Sequence, residues 1–511
     1  MRKAYINGNI ITNDKSVAEA MIVNGKTIEY VGTNEIVNKA NIETINLNGN
    51  TVLPGFYDSH IHFLGIGLLN HLSNLSQSKS IDELVNELKA NTNSWIIGRG
   101  WHQSNMNGYV PTKNDLDRVS LEIPVIAIRV CGHVLVANSK AMEIAKIDKF
   151  TEQIDGGSFD YESGLFTEDA LLLITKAIPP YKKDDIKKMF INANEHLLSQ
   201  GITYIASDDF STLNVPYELI IECLNELYLE KKINIKLYEQ VNLPSIELFK
   251  DYISKGYPNK IFSELFKLGP LKLLADGSLG GRTAYLRKPY SDQDTLGIPV
   301  FTQSTLNEYV RLADKSNMNV AIHAIGDATV DMILESTKDS KDHRHGIIHA
   351  QIVDEKQIKR IKEQNLLLYV QPIFLNSDID IVFDRLGNRA NESYLFKTMY
   401  DSEVITSFGT DSPVENFNPF ENLYSAITRK SIKNPTQEAF LKDQAFNISS
   451  AIECYTTHSA YTSYDEKSVG KLKAGYFADF IIIDRNIIES TPEELLKTEV
   501  LATYINGSKV Y

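Results

Sequence analysis

Two histidines one residue apart, His60 and His62, close an apolar run in LPGFYDSHIH. In a strand, residues i and i+2 share a face, so two imidazoles at that spacing can grip a metal ion from one side. Three further apolar runs end in comparable groups: NVAIHAIGD in His323, HGIIHAQ in His349, and VITSFGTDSPV in Asp411. Imidazole and carboxylate suit Zn²⁺ and related divalent ions, and a catalytic site of this type keeps a position open for water. Lys272 sits inside another apolar run, LGPLKLLADG. Burial depresses a lysine pKa, and the neutral amine can take up CO₂ as a carbamate whose two oxygens could bridge two ions. The other reading turns Lys272 outward between helices, with its head in solvent.

These residues are far apart in the chain, so a fold must gather them. Short strand-like runs occur at 52–58, 202–207, 233–238, 269–275, 319–323, 345–349, 366–371 and 404–409, most of them separated by helical-period stretches such as YELIIECLNELYLEKK and DEKQIKRIKEQN. The pattern fits a parallel (β/α)8 TIM barrel, in which every strand C-terminus meets at one mouth. A doubly wound open sheet has a similar periodicity, and the pattern alone leaves both standing. Both chain ends alternate apolar and polar residues instead, with Asn-Gly turn signals at 7–8, 24–25 and 48–49. They predict one small β-sandwich from residues 1–52 and 462–511, flanking a barrel over 53–461. The stretch from about 65 to 200 exceeds one βα unit and reads as an insertion after the first strand, placed to cover the mouth.

Composition narrows the function classes. A net charge of −14 over 511 residues argues against nucleic acid, whose phosphates demand a basic surface. Three dispersed cysteines make neither a disulfide framework nor a zinc knuckle. No stretch approaches the ~18–20 apolar residues of a membrane helix, and the N-terminus lacks a signal-peptide core. The expectation is a cytoplasmic protein acting on a small molecule, with a homodimer compatible.

HxH after the first strand, lysine on the fourth, histidines on the fifth and sixth and aspartate after the eighth resemble the amidohydrolase superfamily. LKLLADGSLGGRTA (271–284), GHVLVANSKAM (132–142), IHAIGDATVD (322–331), RHGIIHAQIV (344–353), FGTDSPV (408–414) and VGKLKAGYFADFIIID (469–484) are similar to the branch that includes N-substituted formamide deformylases. The resemblance implies the barrel with its two-ended β-sandwich. It also implies a ligand set of His60, His62, Lys272 as a carbamate, His323, His349 and Asp411, with Asp411 shuttling protons. The expected reaction is hydrolysis of a non-peptide C–N bond, in an amide or N-substituted formamide, by metal-activated hydroxide on one or two ions. Deamination, cyclic-amide hydrolysis and a non-enzymatic regulatory role are the rival readings.

Three residues are candidates to touch substrate. His133 in CGHVLVAN could act from a lid, or be a turn histidine. Arg282 in GGRTA could meet a substrate carboxylate or carbonyl, or bind loop carbonyls. His102 in GRGWHQSN could line the pocket, or be a solvated loop residue. His71, His196, His343, His345 and His458 read as structural, and Gly277, Gly280 and Gly281 as a mobile loop rather than a phosphate cradle, because they lack the strand–GxGxxG–helix context.

Overall fold

A computed structural model describes residues 2–13, 17–38, 42–129, 134–154, 157–168 and 170–511. Its central sheet has eight parallel strands hydrogen-bonded in chain order: Phe56–Ile61, Ile202–Ser207, Lys236–Asn242, Phe266–Leu274, Val320–Ala324, Gly346–His349, Leu367–Val370 and Thr406–Phe408. This is the TIM barrel, not the open sheet. Among the described residues no ladder joins the eighth strand to the first. Instead, single backbone bonds cross the seam: Asp411 N–H donates to the His60 carbonyl and His62 N–H to that of Ser412, each at 2.8 Å.

Strand boundaries differ most from the expected ones at the first and third strands. The run VLPGFYD is split at Gly55. Thr51–Pro54 pairs antiparallel with Phe480–Ile483 in a terminal sheet, and only Phe56 onward joins the barrel. A Cβ on Gly55 would lie 2.2 Å from Thr203 Oγ1, so only glycine fits where the chain passes between sheets. The third strand reaches Asn242 rather than stopping at Tyr238. Its extension carries Glu239, Gln240 and Asn242, all buried, which hydropathy reads as the end of a strand.

The chain ends supply two sheets. One has the order Thr27–Gly32, Ala20–Asn24, Arg2–Ile6, Glu43–Asn46. The other runs Ser508–Lys509, Val500–Ile505, Phe480–Ile483, Thr51–Pro54, Asn9–Ile11, Val17–Ala18. Tyr5, Phe480 and Tyr504 anchor their core, with Phe480 and Tyr504 stacked at 4.3 Å. The segment after the helix Thr457–Thr462 reaches residues near the start of the barrel. Asp465 accepts from Tyr204 Oη and Lys267 Nζ, both at 2.6 Å, and Tyr204 stacks on Tyr57 at 4.0 Å.

Leu64–Asn192 forms a separate compact unit. It carries a six-stranded mixed sheet, in which Ile96–Trp101 and Val125–Arg129 pair parallel. Trp101, Leu88, Leu116 and Val136 belong to one of its cores. No helix among the described residues is long and apolar enough to cross a membrane.

Candidate metal centre

At or just past the C-terminal ends of barrel strands lie His60, His62, His323, His349 and Asp411, which form a polar cluster. His60 and His62 leave the first strand with ring centroids 5.4 Å apart. Both address one oxygen of Asp411: His60 Nε2 at 3.3 Å and His62 Nε2 at 2.9 Å from Oδ1. On the opposite side, His323 Nδ1 lies 2.9 Å from His349 Nε2. The His60 and His349 rings are 6.0 Å apart, which joins the two halves. Near atoms of His60, His349 and Asp411 all fall within 4.8 Å of one another.

The far nitrogen of each ring settles its tautomer. His60 Nδ1 faces Gln240 Oε1 at 2.6 Å, and that amide is oriented because Gln240 Nε2 donates to the Ser59 carbonyl. His349 Nδ1 faces Gln371 Oε1 at 2.8 Å, and Gln371 Nε2 donates to the Tyr369 carbonyl. His62 Nδ1 meets the Asp208 carbonyl at 2.8 Å, and His323 Nε2 that of Gly277 at 3.1 Å. Every far partner is an acceptor, so each ring carries its proton there and turns a lone pair inward. Four such lone pairs beside a carboxylate form a donor set suited to divalent ions. The residues fit a metal.

The electrostatics agree with that fit. Burial and the nearby Lys272 charge push His60 down to about 4, and burial, with His323 beside it, holds His349 well below the usual imidazole range. Burial alone would lower His62 too, but Asp411 outweighs it and brings His62 up to about 9. Burial would raise Asp411, yet its bonds to His60 and His62 hold it well below the usual carboxylate range. Without an ion, a proton on His62 takes the place a cation would fill. His349 and Asp411 also sit at φ +75° and +55°, a region rarely adopted without glycine and one that concentrates at functional sites.

Lys272 points into the barrel, with 2% of its side chain exposed, and its Nζ lies 3.2 Å from Asp208 Oδ2. Asp208 directly follows the second strand and also accepts from Asn242 Nδ2 at 3.2 Å. Sequence reasoning missed Asp208, Gln240 and Gln371. For Asp208 there was a signal, an acid closing the apolar run ITYIAS as His60 closes its own. The two glutamines had none, because a polar residue within or just after a strand looks like a chain break.

Two of the other candidates have partners of their own. Arg282 forms a bidentate pair with Asp292, at 2.8 and 3.1 Å, and Arg385 binds the same carboxylate. His102, in the separate unit, caps a short turn by accepting from Ser104 N–H at 3.2 Å. His133 lies outside the described residues. Gly277 supplies the carbonyl that orients His323, and a Cβ there would meet Thr283 Oγ1 at 2.1 Å. A second cluster, Asp314 with His343 and His345, has metal-like spacing. In it His345 Nδ1 accepts from Val320 N–H while Nε2 donates to Asp314, so no lone pair of His345 is left for an ion.

Known proteins resemble the chain over most of its length. The model of the amidohydrolase family matches residues 43–511. YtcJ of Bacillus subtilis (strain 168) is 32% identical, with 96% of each chain covered. An N-substituted formamide deformylase of Arthrobacter pascens is 24% identical over 98% of this chain and 97% of its own. A crystal structure titled as an uncharacterized metal-dependent hydrolase from Pyrococcus horikoshii OT3 superposes with a TM-score of 0.82 at 31% identity, covering 96% of this chain and 99% of that one.

Proposed function

The chain belongs to the amidohydrolase family, and from that premise we propose that it is a metal-dependent hydrolase cleaving the C–N bond of an amide or N-substituted formamide. The observation that carries this reading is the set of four inward imidazole nitrogens, His60 and His62 on Asp411 and His323 facing His349. His60, His62 and Asp411 would hold one divalent ion, with zinc the best match to the donors, and His323 and His349 a second. A carbamate on Lys272 would bridge them. Divalent ions in such a site activate water for attack and polarise the carbonyl under attack.

The residues supply the rest. Asp411, kept ionised by its histidines, takes a proton from the attacking water and returns it to the departing nitrogen. Gln240 and Gln371 hold the His60 and His349 rings in the ligating tautomer throughout. The likeness to a formamide deformylase supports a formyl or small acyl group as the part cleaved.

A panel of N-substituted formamides, acyl amines and cyclic imides, assayed with and without Zn²⁺, tests the reading. Metal-dependent release of amine from the first two classes is expected. Turnover confined to cyclic imides, or none at all, rejects it. For the bridge, intact-mass measurement at raised bicarbonate should show the added CO₂. Full activity in Lys272→Ala with one equivalent of metal would end the two-ion version.

A further inference from the structure

His60 and Asp411 stand on opposite sides of the only strand junction in the barrel that lacks a ladder among the described residues. The Asp411 N–H bond to the His60 carbonyl ties them directly, and a second connection runs beside it. The carboxylate of Asp58, fully buried in the first strand, spans that junction. Its Oδ1 accepts from the backbone N–H of His60 and of Thr410, each at 3.2 Å. Its Oδ2 accepts from Thr410 Oγ1 at 2.7 Å and Tyr455 Oη at 3.1 Å. Thr410 immediately precedes Asp411, and its Oγ1 accepts in turn from Ser412 N–H at 3.4 Å.

The junction is built around this carboxylate. A Cβ on Gly409 would lie 2.7 Å from the His60 nitrogen and 3.0 Å from Asp58 Oδ1, so glycine there lets the strands close on Asp58. A buried carboxylate is costly unless its oxygens are satisfied. Here four donors satisfy it, and three of them belong to His60 or Thr410. Packing alone would be served by an apolar pair, which needs no such matching.

We propose that Asp58, acting through Thr410, is a positioning residue that sets the His60–Asp411 spacing and thereby the affinity of the site for its divalent ion. The inference rests on the metal-centre reading above. It assigns Asp58 no contact with substrate or ion.

Co²⁺ titration, followed by visible absorption and by competition with a chelator, tests it on the full chain. Thr410→Val removes the hydroxyl donor at nearly constant shape, Thr410→Ser retains it, and Asp58→Asn replaces one acceptor oxygen by a donor. Loss of an outer partner of a metal ligand typically costs ~10–100-fold in affinity, and that loss is expected for Thr410→Val and Asp58→Asn. Thr410→Ser should bind as the native chain does, and metal-free Thr410→Val, though less stable for the donor it loses, should keep the native fold by circular dichroism. Should Asp58→Asn fail to fold, the Thr410 pair decides alone. Native Co²⁺ affinity in Thr410→Val, or an equal loss in Thr410→Ser, overturns the proposal. A native chain that takes up no Co²⁺ overturns the metal centre itself, and this inference with it.

Discussion

His323 Nδ1 lies 2.9 Å from His349 Nε2, and each ring spends its own proton on a fixed acceptor behind it, the Gly277 carbonyl and Gln371 Oε1. Two lone pairs held face to face repel unless a cation or a proton lies between them. A proton shared between them would satisfy this contact in the metal-free chain, and a divalent ion would take its place. Removing metal with a chelator should abolish hydrolysis and lower the melting temperature, and Zn²⁺ should restore both. Ligand at a hundred times its Kd adds about 2.7 kcal/mol of stability, which calorimetry resolves. A melting temperature indifferent to Zn²⁺ and chelator contradicts this.

Gln371 has one evident task, holding the proton of His349 on Nδ1. Gln371→Leu removes that acceptor at similar volume and frees the ring to take the wrong tautomer. Zn²⁺ affinity should drop ~10–100-fold with the fold intact. Affinity can be read by chelator competition and the fold by circular dichroism. Unchanged affinity would mean that packing against Phe374, which stacks on His349 at 5.5 Å, holds the ring unaided.

Asp411→Asn keeps the shape of the side chain and an oxygen that can face His60 and His62, but it cannot accept a proton from water. Its kcat should fall by ~10²–10⁴, the usual worth of a general acid–base, while the fold is retained. Steady-state kinetics at saturating metal separate this from weakened metal binding. A kcat within a few-fold of native would assign the proton transfer to another group.

Glu239, next to Gln240 on the third strand, provides a pH signature of its own. It is fully buried, and burial, reinforced by Asp209, pushes its pKa well above the usual range. The unfolded chain titrates this group near ~4.3, so above that pH the unfolded state binds fewer protons than the folded one. Stability then falls as pH rises from ~4.3 toward the raised folded value, by up to about 1.4 kcal/mol per pH unit. Glu239→Gln imitates the protonated acid and keeps an oxygen for the Asp209 N–H. Its melting temperature should match native near pH 4 and exceed it increasingly toward pH 8. A difference that does not vary with pH would show that Glu239 is ionised in the fold.

The loop after the fourth strand illustrates a reading that only packing could decide. Arg282 in isolation suits a substrate carboxylate as well as a structural partner. Its guanidinium is occupied by Asp292, which Arg385 also binds. Asp292 and Arg385 lie ten and about a hundred positions further along the chain, and no local pattern announces them.

The sequence by itself determined the barrel rhythm and the residues that close its strands. Apolar runs of strand length ending in histidine or aspartate are visible because a buried wall and a polar site demand opposite residue types, and the change occurs within two or three positions. It also marked Lys272 as anomalous, without saying which way it faced. Tertiary structure decided that, because the facing of a strand follows from its register with its neighbours. It also decided where the first strand begins, since Gly55 had to clear Thr203, and how far the third extends. The partners that aim the imidazoles, Gln240, Gln371 and Asp208, and the Asp58 carboxylate behind the His60 backbone interrupt hydropathy instead of following it. Their value lies in which atom each faces across the barrel, and that is a property of closure, absent from any local stretch of chain.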